Sequence, residues 1–401
     1  MRVEERFLKY VSFGTNSDEN SVSCPSTMCQ KELTAYLEEE MKAVGLSGVK
    51  NDGTGYVYGI LPASKGCEDR TPIGFVAHID TSGEVPGDNI KPRVIEYEGG
   101  DIDLGGGVVT TRKVFPYLDL YKGQHLIITD GTTLLGADDK AGIAEIMTAI
   151  EDLIAHPEIE HGTIYVCFNP DEEIGRGMER VDLSYFKPEY AYTVDGGRLG
   201  ELEYECFNAA AAKIHIKGVS IHPGSSKNKM KNAVLIANEY INMLPPAETP
   251  SHTEMYEGFY HVNNVEASTI GAKLVMIIRD HDRTKFEARK EFVLGIGEYL
   301  NKKYGDGTVT TELSDTYYNM REKLEDKMYI VEKAEKAMRE LGIEPISVPI
   351  RGGTDGAALS FMGLPCPNLS TGGENCHGVH EFVAIESMEK MVEVIKKIAQ
   401  G

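Results

Sequence analysis

Short apolar runs that break off into clusters of polar residues recur along the first half of the chain. Residues 73–78 (Ile73-Gly74-Phe75-Val76-Ala77-His78) form a β-type run that ends in an imidazole, with Asp80 two residues beyond. Residues 55–61, 162–168 and 190–194 read as further strands. The last two lead into Pro170-Asp171-Glu172-Glu173 and Asp195-Gly196-Gly197. Helical spacing replaces strand character over 141–155, where Ile143, Ile146, Met147, Ile150 and Ile154 predict an amphipathic helix directly behind Gly136-Ala137-Asp138-Asp139-Lys140. An earlier helix is expected over 31–43, capped by Ser26 or Thr27 and closed by Gly45. Between 83 and 123 Gly, Pro and Asp interrupt any sustained period, which predicts loop with brief strands. Strands alternating with helices, each strand carrying polar residues at its end, indicate an α/β sheet with a site beyond the strand termini.

The pattern changes after Cys206. Residues 211–217 and 273–279 read as strands and 233–244 and 286–304 as helices, with few residues suited to chemistry among them. From 317 onward polar motifs return: Arg351-Gly352-Gly353-Thr354-Asp355-Gly356, then His377 with Glu381 four residues on, and a last helix over 385–399. A length of 401 residues exceeds what one core usually serves. The expected organisation is therefore a discontinuous catalytic domain, 1–206 and 317–401, interrupted by a smaller α+β domain over 207–316.

Composition narrows the classes. No apolar run approaches the roughly 18 residues of a membrane span, and Met1-Arg2-Val3-Glu4-Glu5-Arg6 lacks a secretion signal, so a cytoplasmic protein is expected. The formal net charge of -22 argues against nucleic acid as a partner. The seven cysteines include no Cys-x-x-Cys pair, so reduced thiols are expected instead of thiolate zinc.

The clusters themselves point to metal-assisted hydrolysis. Imidazole and carboxylate ligands suit zinc, manganese or cobalt(II). A site with two metals needs a bridging carboxylate, and Asp138 behind its Gly136 turn is the candidate; a helix N-terminus favouring acidic residues is the competing reading. Of Glu172 and Glu173, one would bind metal and the other act as base, unless the pair is a solvated acidic loop. Asp80 would orient His78, being on the same face of an extended strand. Asp195 reads equally as a turn residue, and His380 competes with His377 as ligand. His222, in Val219-Ser220-Ile221-His222-Pro223-Gly224, would donate to an oxyanion or simply stabilise its turn. Arg279 and Arg351 would grip a substrate carboxylate or form surface ion pairs.

Taken together, these motifs resemble the M20 family of dinuclear metallopeptidases, and within it the aminotripeptidases. The likeness extends to Tyr256-Glu257-Gly258-Phe259-Tyr260-His261, Tyr317-Tyr318-Asn319-Met320-Arg321-Glu322-Lys323 and Phe361-Met362-Gly363-Leu364-Pro365-Cys366-Pro367-Asn368-Leu369. It implies a zinc-peptidase-like α/β catalytic domain, with a mixed central sheet flanked by helices, and an inserted lid and dimerisation domain. It further implies two divalent ions per subunit, zinc first and cobalt or manganese as alternatives. His78, Asp138 and Asp195 would bind one ion, with Asp138 bridging to a second ion held by Glu173 and His377. Glu172 would be the general base acting on a metal-bridging water, and Asp80 the residue orienting His78. His222 would stabilise the oxyanion, and Arg279 and Arg351 would receive the peptide's C-terminal carboxylate. The implied substrates are short peptides, mainly unblocked tripeptides, and the implied assembly is a homodimer.

Overall fold

The computed structural model describes residues 1–401. Its chain divides into two compact units, one made of 1–204, 323–348 and 354–401, the other of 205–322 and 349–353. The 349–353 segment, expected with the catalytic domain, therefore groups with the second unit. The reason is local pairing: the Ile350 amide donates to the Glu205 carbonyl (2.9 Å), and Arg351 bonds to the 253–257 loop.

The first unit is built on a mixed eight-stranded sheet. Its order is Ser47–Asn51, Val57–Leu61, Ile164–Asn169, Ile73–His78, Tyr190–Gly196, Asn368–Ser370, Glu201–Glu203 and Ile346–Ser347. The strands Ile164–Asn169, Ile73–His78 and Tyr190–Gly196 run parallel and are almost wholly buried, which explains their continuous apolar sequences. Register then places the chemistry. His78 lies opposite Asn169, and Val76 opposite Thr193, so His78, the turn after Asn169 and Asp195 emerge at the same end of the sheet. A smaller sheet orders Gly373–Glu374, Phe382–Ala384, Gln124–Ile128 and Arg93–Tyr97, and a hairpin joins Ile102–Gly105 to Val108–Thr110. The region expected to be loop with brief strands has that character.

The helix Ala137–Ala155 differs from its expected amphipathic form. It is buried on nearly every side because it packs against Val3–Tyr10, Ile385–Gln400 and the central strands; only its end, with Ile154, is exposed. Glu145 is caught inside it, with neither carboxylate oxygen hydrogen-bonded. Burial pushes its pKa well above the usual carboxylate range. The folded state therefore keeps a proton that the unfolded chain releases. Stability from this neutral form is complete below the unfolded value of about 4.3 and is lost as pH rises toward the folded value. Glu145→Met is expected to raise stability at pH 8 by about 1–3 kcal/mol and by less at pH 5. Thermal unfolding at both pH values checks this; equal effects at both would contradict it.

The helix Gln30–Val44 ends at Gly45, whose φ of 107° explains the glycine stop. Its N-cap is Cys29, without a side-chain cap bond, instead of Ser26 or Thr27. Ser26 is engaged elsewhere: its amide and hydroxyl both donate to the buried carboxylate of Asp171.

The second unit is a four-stranded antiparallel sheet, ordered Phe259–Ala267, Gly271–Asp280, Asn208–Lys217 and Val309–Tyr317. Helices Ala233–Asn242 and Arg283–Tyr304 cover it around a core that includes Ile214, Leu274, Met276 and Phe286.

Candidate metal centre

At the sheet end, His78 is fully buried. Its Nδ1 faces the Asp80 main-chain oxygen at 3.0 Å, while the Asp80 carboxylate is farther, at 3.4 Å. With Nδ1 turned to that oxygen, Nε2 faces Asp138 Oδ1 (2.9 Å) and Asp195 Oδ1 (3.3 Å). The other oxygen of Asp138 faces His377 Nε2 at 3.2 Å, and His377 Nε2 also meets Glu173 Oε2 at 2.9 Å. One carboxylate thus lies between two imidazoles, each of which has a second carboxylate beside it.

The electrostatics fit cations in these two positions. Burial, with the charge of Asp138, pushes the Glu173 carboxyl up to about 7. Burial likewise pushes Asp195 up to about 6 and Asp139 well above the usual range. Bonding to Asp138 and Glu173 raises His377 to about 11. Burial alone would lower His78, but Asp195, Asp138 and Asp80 overcome it. Protons are being drawn to a crowd of carboxylates, the environment that divalent ions neutralise. Ligand atoms from His78, Asp138 and Glu173 lie within 4.8 Å of one another, as do atoms from His78, Asp139 and Asp195. The two groupings share His78 and differ in the rest, including which of the neighbours Asp138 and Asp139 joins it. Asp139 Oδ2 accepts the His78 amide (3.1 Å), whereas both Asp138 oxygens face imidazole nitrogens, so Asp138 is the better placed of the two to hold metal.

The supporting shell includes residues that sequence reasoning did not single out. The Asp80 carboxylate accepts the amides of Glu172 (3.0 Å) and Glu173 (3.2 Å), fixing the turn that carries both. Asp171, in a left-handed conformation, anchors the same turn through Ser26 and Gln30. Glu173 is fixed in turn by the Ser82 amide at 3.0 Å. The buried Glu381 accepts three amides, from Leu135 (2.6 Å), Gly136 (2.8 Å) and Asp138 (3.1 Å). Its position four residues after His377 was visible in sequence, but its partners, more than 240 residues earlier in the chain, were not. Glu381→Gln would set an amide NH2 against one of these donors. We expect a loss of about 1–3 kcal/mol, checked by denaturant unfolding; unchanged stability would mean the turn holds itself.

Glu172 lies outside both ligand groups and is half-buried beside them. Burial and the neighbouring carboxylates Asp355 and Asp195 raise its pKa well above the usual value. His380, the competitor of His377, is occupied by Thr110 at 2.8 Å.

The three remaining sequence candidates lie in the second unit. His222 is exposed, its Nδ1 accepting the Gly224 amide at 3.2 Å. Arg279 uses Nη1 on the Ala210 and Ile278 carbonyls and lies 5.5 Å from the Tyr317 ring centre. Arg351 uses Nη1 and Nη2 on the Met255, Glu257 and Thr253 carbonyls and the Thr253 hydroxyl.

The model of peptidase family M20/M25/M40 matches residues 129–401. The chain belongs to that family. This M20 chain is 56% identical over 402 residues to a Peptidase T of Caldanaerobacter subterraneus, covering 100% of this chain and 98% of that protein. It is 55% identical to a Peptidase T of Clostridium perfringens over 99% of this chain and 98% of the relative. A crystal structure of aminopeptidase PepT from Bacillus cereus superposes with a TM-score of 0.79 at 25% identity, covering 100% of this chain and 97% of that one. The M20 match spans Asp138, Glu172, Glu173, Asp195 and His377, while His78 and Asp80 precede it. No helix of the M20 chain is long and apolar enough to cross a membrane.

Proposed function

We propose that this chain is a dinuclear metal-dependent aminopeptidase that removes the N-terminal residue from unblocked tripeptides. The observation that carries this reading is the placement of Asp138 between His78 and His377. His78, Asp138 and Asp195 are assigned to one ion, and Asp138, Glu173 and His377 to the other. Zinc suits this nitrogen and oxygen set first, with cobalt or manganese as alternatives. When bound, the two ions polarise the scissile carbonyl and make water more acidic.

The chain's own groups do the rest. Glu172 takes a proton from the attacking water at its carboxylate and hands it to the departing amine. Asp80 holds the Glu172 amide and the His78 ring together, so base and ligand keep a fixed separation. His222 is assigned to the oxyanion; its Nδ1 is an acceptor, which leaves Nε2–H as the donor. Of the two arginines, Arg279 is favoured for the substrate carboxylate because Nη2 and Nε remain available, whereas Arg351 has only Nε. The resemblance to aminotripeptidases and the Peptidase T relatives support the tripeptide assignment. A cytoplasmic setting is proposed, in which the seven cysteines, none of them in a disulfide, stay reduced, and a homodimer is proposed as the working assembly.

The test is alanine release from trialanine, dialanine, tetraalanine and N-acetyl-trialanine by metal-reconstituted protein. Preference for unblocked trialanine supports the reading. Equal or better cleavage of the dipeptide or the acylated peptide would move the activity elsewhere in the family.

A further inference from the structure

Residues 110–121 carry none of the assigned chemistry, yet they touch the segment around His377 at three positions. Tyr121 donates its hydroxyl to Glu374 Oε1 (2.7 Å), which also accepts from Arg198 Nε at 2.7 Å. Tyr117 donates to Asn375 Oδ1, and the Arg198 guanidinium lies 5.1 Å from the Tyr117 ring centre. Thr110 bonds to His380 Nδ1 at 2.8 Å, and Phe115 packs on the His380 ring at a centroid distance of 5.3 Å. Asn375 closes the loop on itself, its Nδ2 donating to the His380 carbonyl at 3.0 Å.

The segment so held carries backbone strain at two positions. Asn375 and His377 both adopt left-handed backbone, with φ of 60° and 65°, a region that residues with a Cβ occupy at a cost. The His377 side chain is 39% exposed, so packing alone does not fix it. The 110–121 segment has its own anchorage: Leu118 and Tyr121 are buried in a core with Tyr97, Leu126, Ile128 and Phe382.

We propose that residues 110–121 act as a strap that positions His377, with Tyr117 and Asn375 as its principal positioning residues. The strap fixes the affinity of the second metal position while leaving the first alone. The inference rests on the reading of His377 as a ligand. If the strap loosens, the imidazole spends less time in its binding pose, and apparent affinity falls by that fraction.

The test is Co2+ titration of the metal-free full chain, followed by visible absorption and calorimetry. Wild type should bind two ions. Tyr117→Phe removes one hydrogen bond and should weaken the second step about 5- to 20-fold, with the first unchanged within about twofold. Asn375→Gly eases the left-handed backbone but deletes both side-chain bonds, and it should weaken the second step at least as much. Unchanged second-step affinity in both variants would overturn the strap. Equal weakening of both steps would also overturn it, as general loosening. A wild type that binds only one ion would remove its premise. A wild type that binds two ions, shows the selective effect and leaves trialanine intact would sink the peptidase reading and leave the strap standing.

Discussion

Replacing Glu172 with glutamine is expected to lower kcat by roughly three orders of magnitude while metal content and KM stay near wild type. The substitution preserves size and removes only the capacity to carry a proton. Glu172 lies outside both ligand groups, and its backbone is fixed by Asp80 Oδ1 at 3.0 Å, so neither ion nor turn should be disturbed. The side chain is suited to proton uptake because burial and the carboxylates of Asp355 and Asp195 favour its protonated form. Metal analysis and steady-state kinetics on the same preparation check the result. Surviving turnover would place the base elsewhere; loss of metal with turnover would make Glu172 a ligand.

Asp138→Asn is expected to have the opposite signature: both ions are lost, and activity follows them. Each oxygen of Asp138 faces a different imidazole, so one substitution touches both positions. Breaking a buried charged partnership costs about 3–5 kcal/mol, which corresponds to a loss of about two to three and a half orders of magnitude in affinity at each position. Asp195→Asn, by contrast, should weaken only the ion beside His78, because Asp195 contacts that imidazole and not His377. The pair also separates Asp138 from its neighbour Asp139. If Asp139 were the ligand, Asp138→Asn would leave the site beside His78 largely intact. Equilibrium titration with Zn2+ or Co2+ of the two variants provides the comparison.

Much of the α/β sheet and the outline of the site was readable from local pattern. The 73–78 run became the central strand with His78 at its end, because a fully buried parallel strand leaves a continuous apolar signature. The clusters after Asn169 and at Asp195 gather with it because register, which composition does not encode, aligns three strand ends. What escaped were groups defined by distant partners. Ser26 looked like a helix cap by type, yet Asp171, 145 residues away, claims it. Glu381 looked like a companion of His377, yet its carboxylate organises the Asp138 turn. Asp80 was expected to act on His78 through its carboxylate; its main-chain oxygen is closer to that ring, while the carboxylate holds the Glu172 turn. The Ala137–Ala155 helix showed a clean apolar face, but its small residues Ala141, Gly142, Ala144 and Ala149 let neighbours close over the rest.

Two ions that share Asp138 are the proposed working site. The most direct measurement is the return of trialanine hydrolysis as metal-free protein is titrated with Zn2+, with bound metal counted at every point. Activity that becomes maximal only at two ions per chain is the predicted result. Full activity at one ion per chain, or in the metal-free protein, would contradict it.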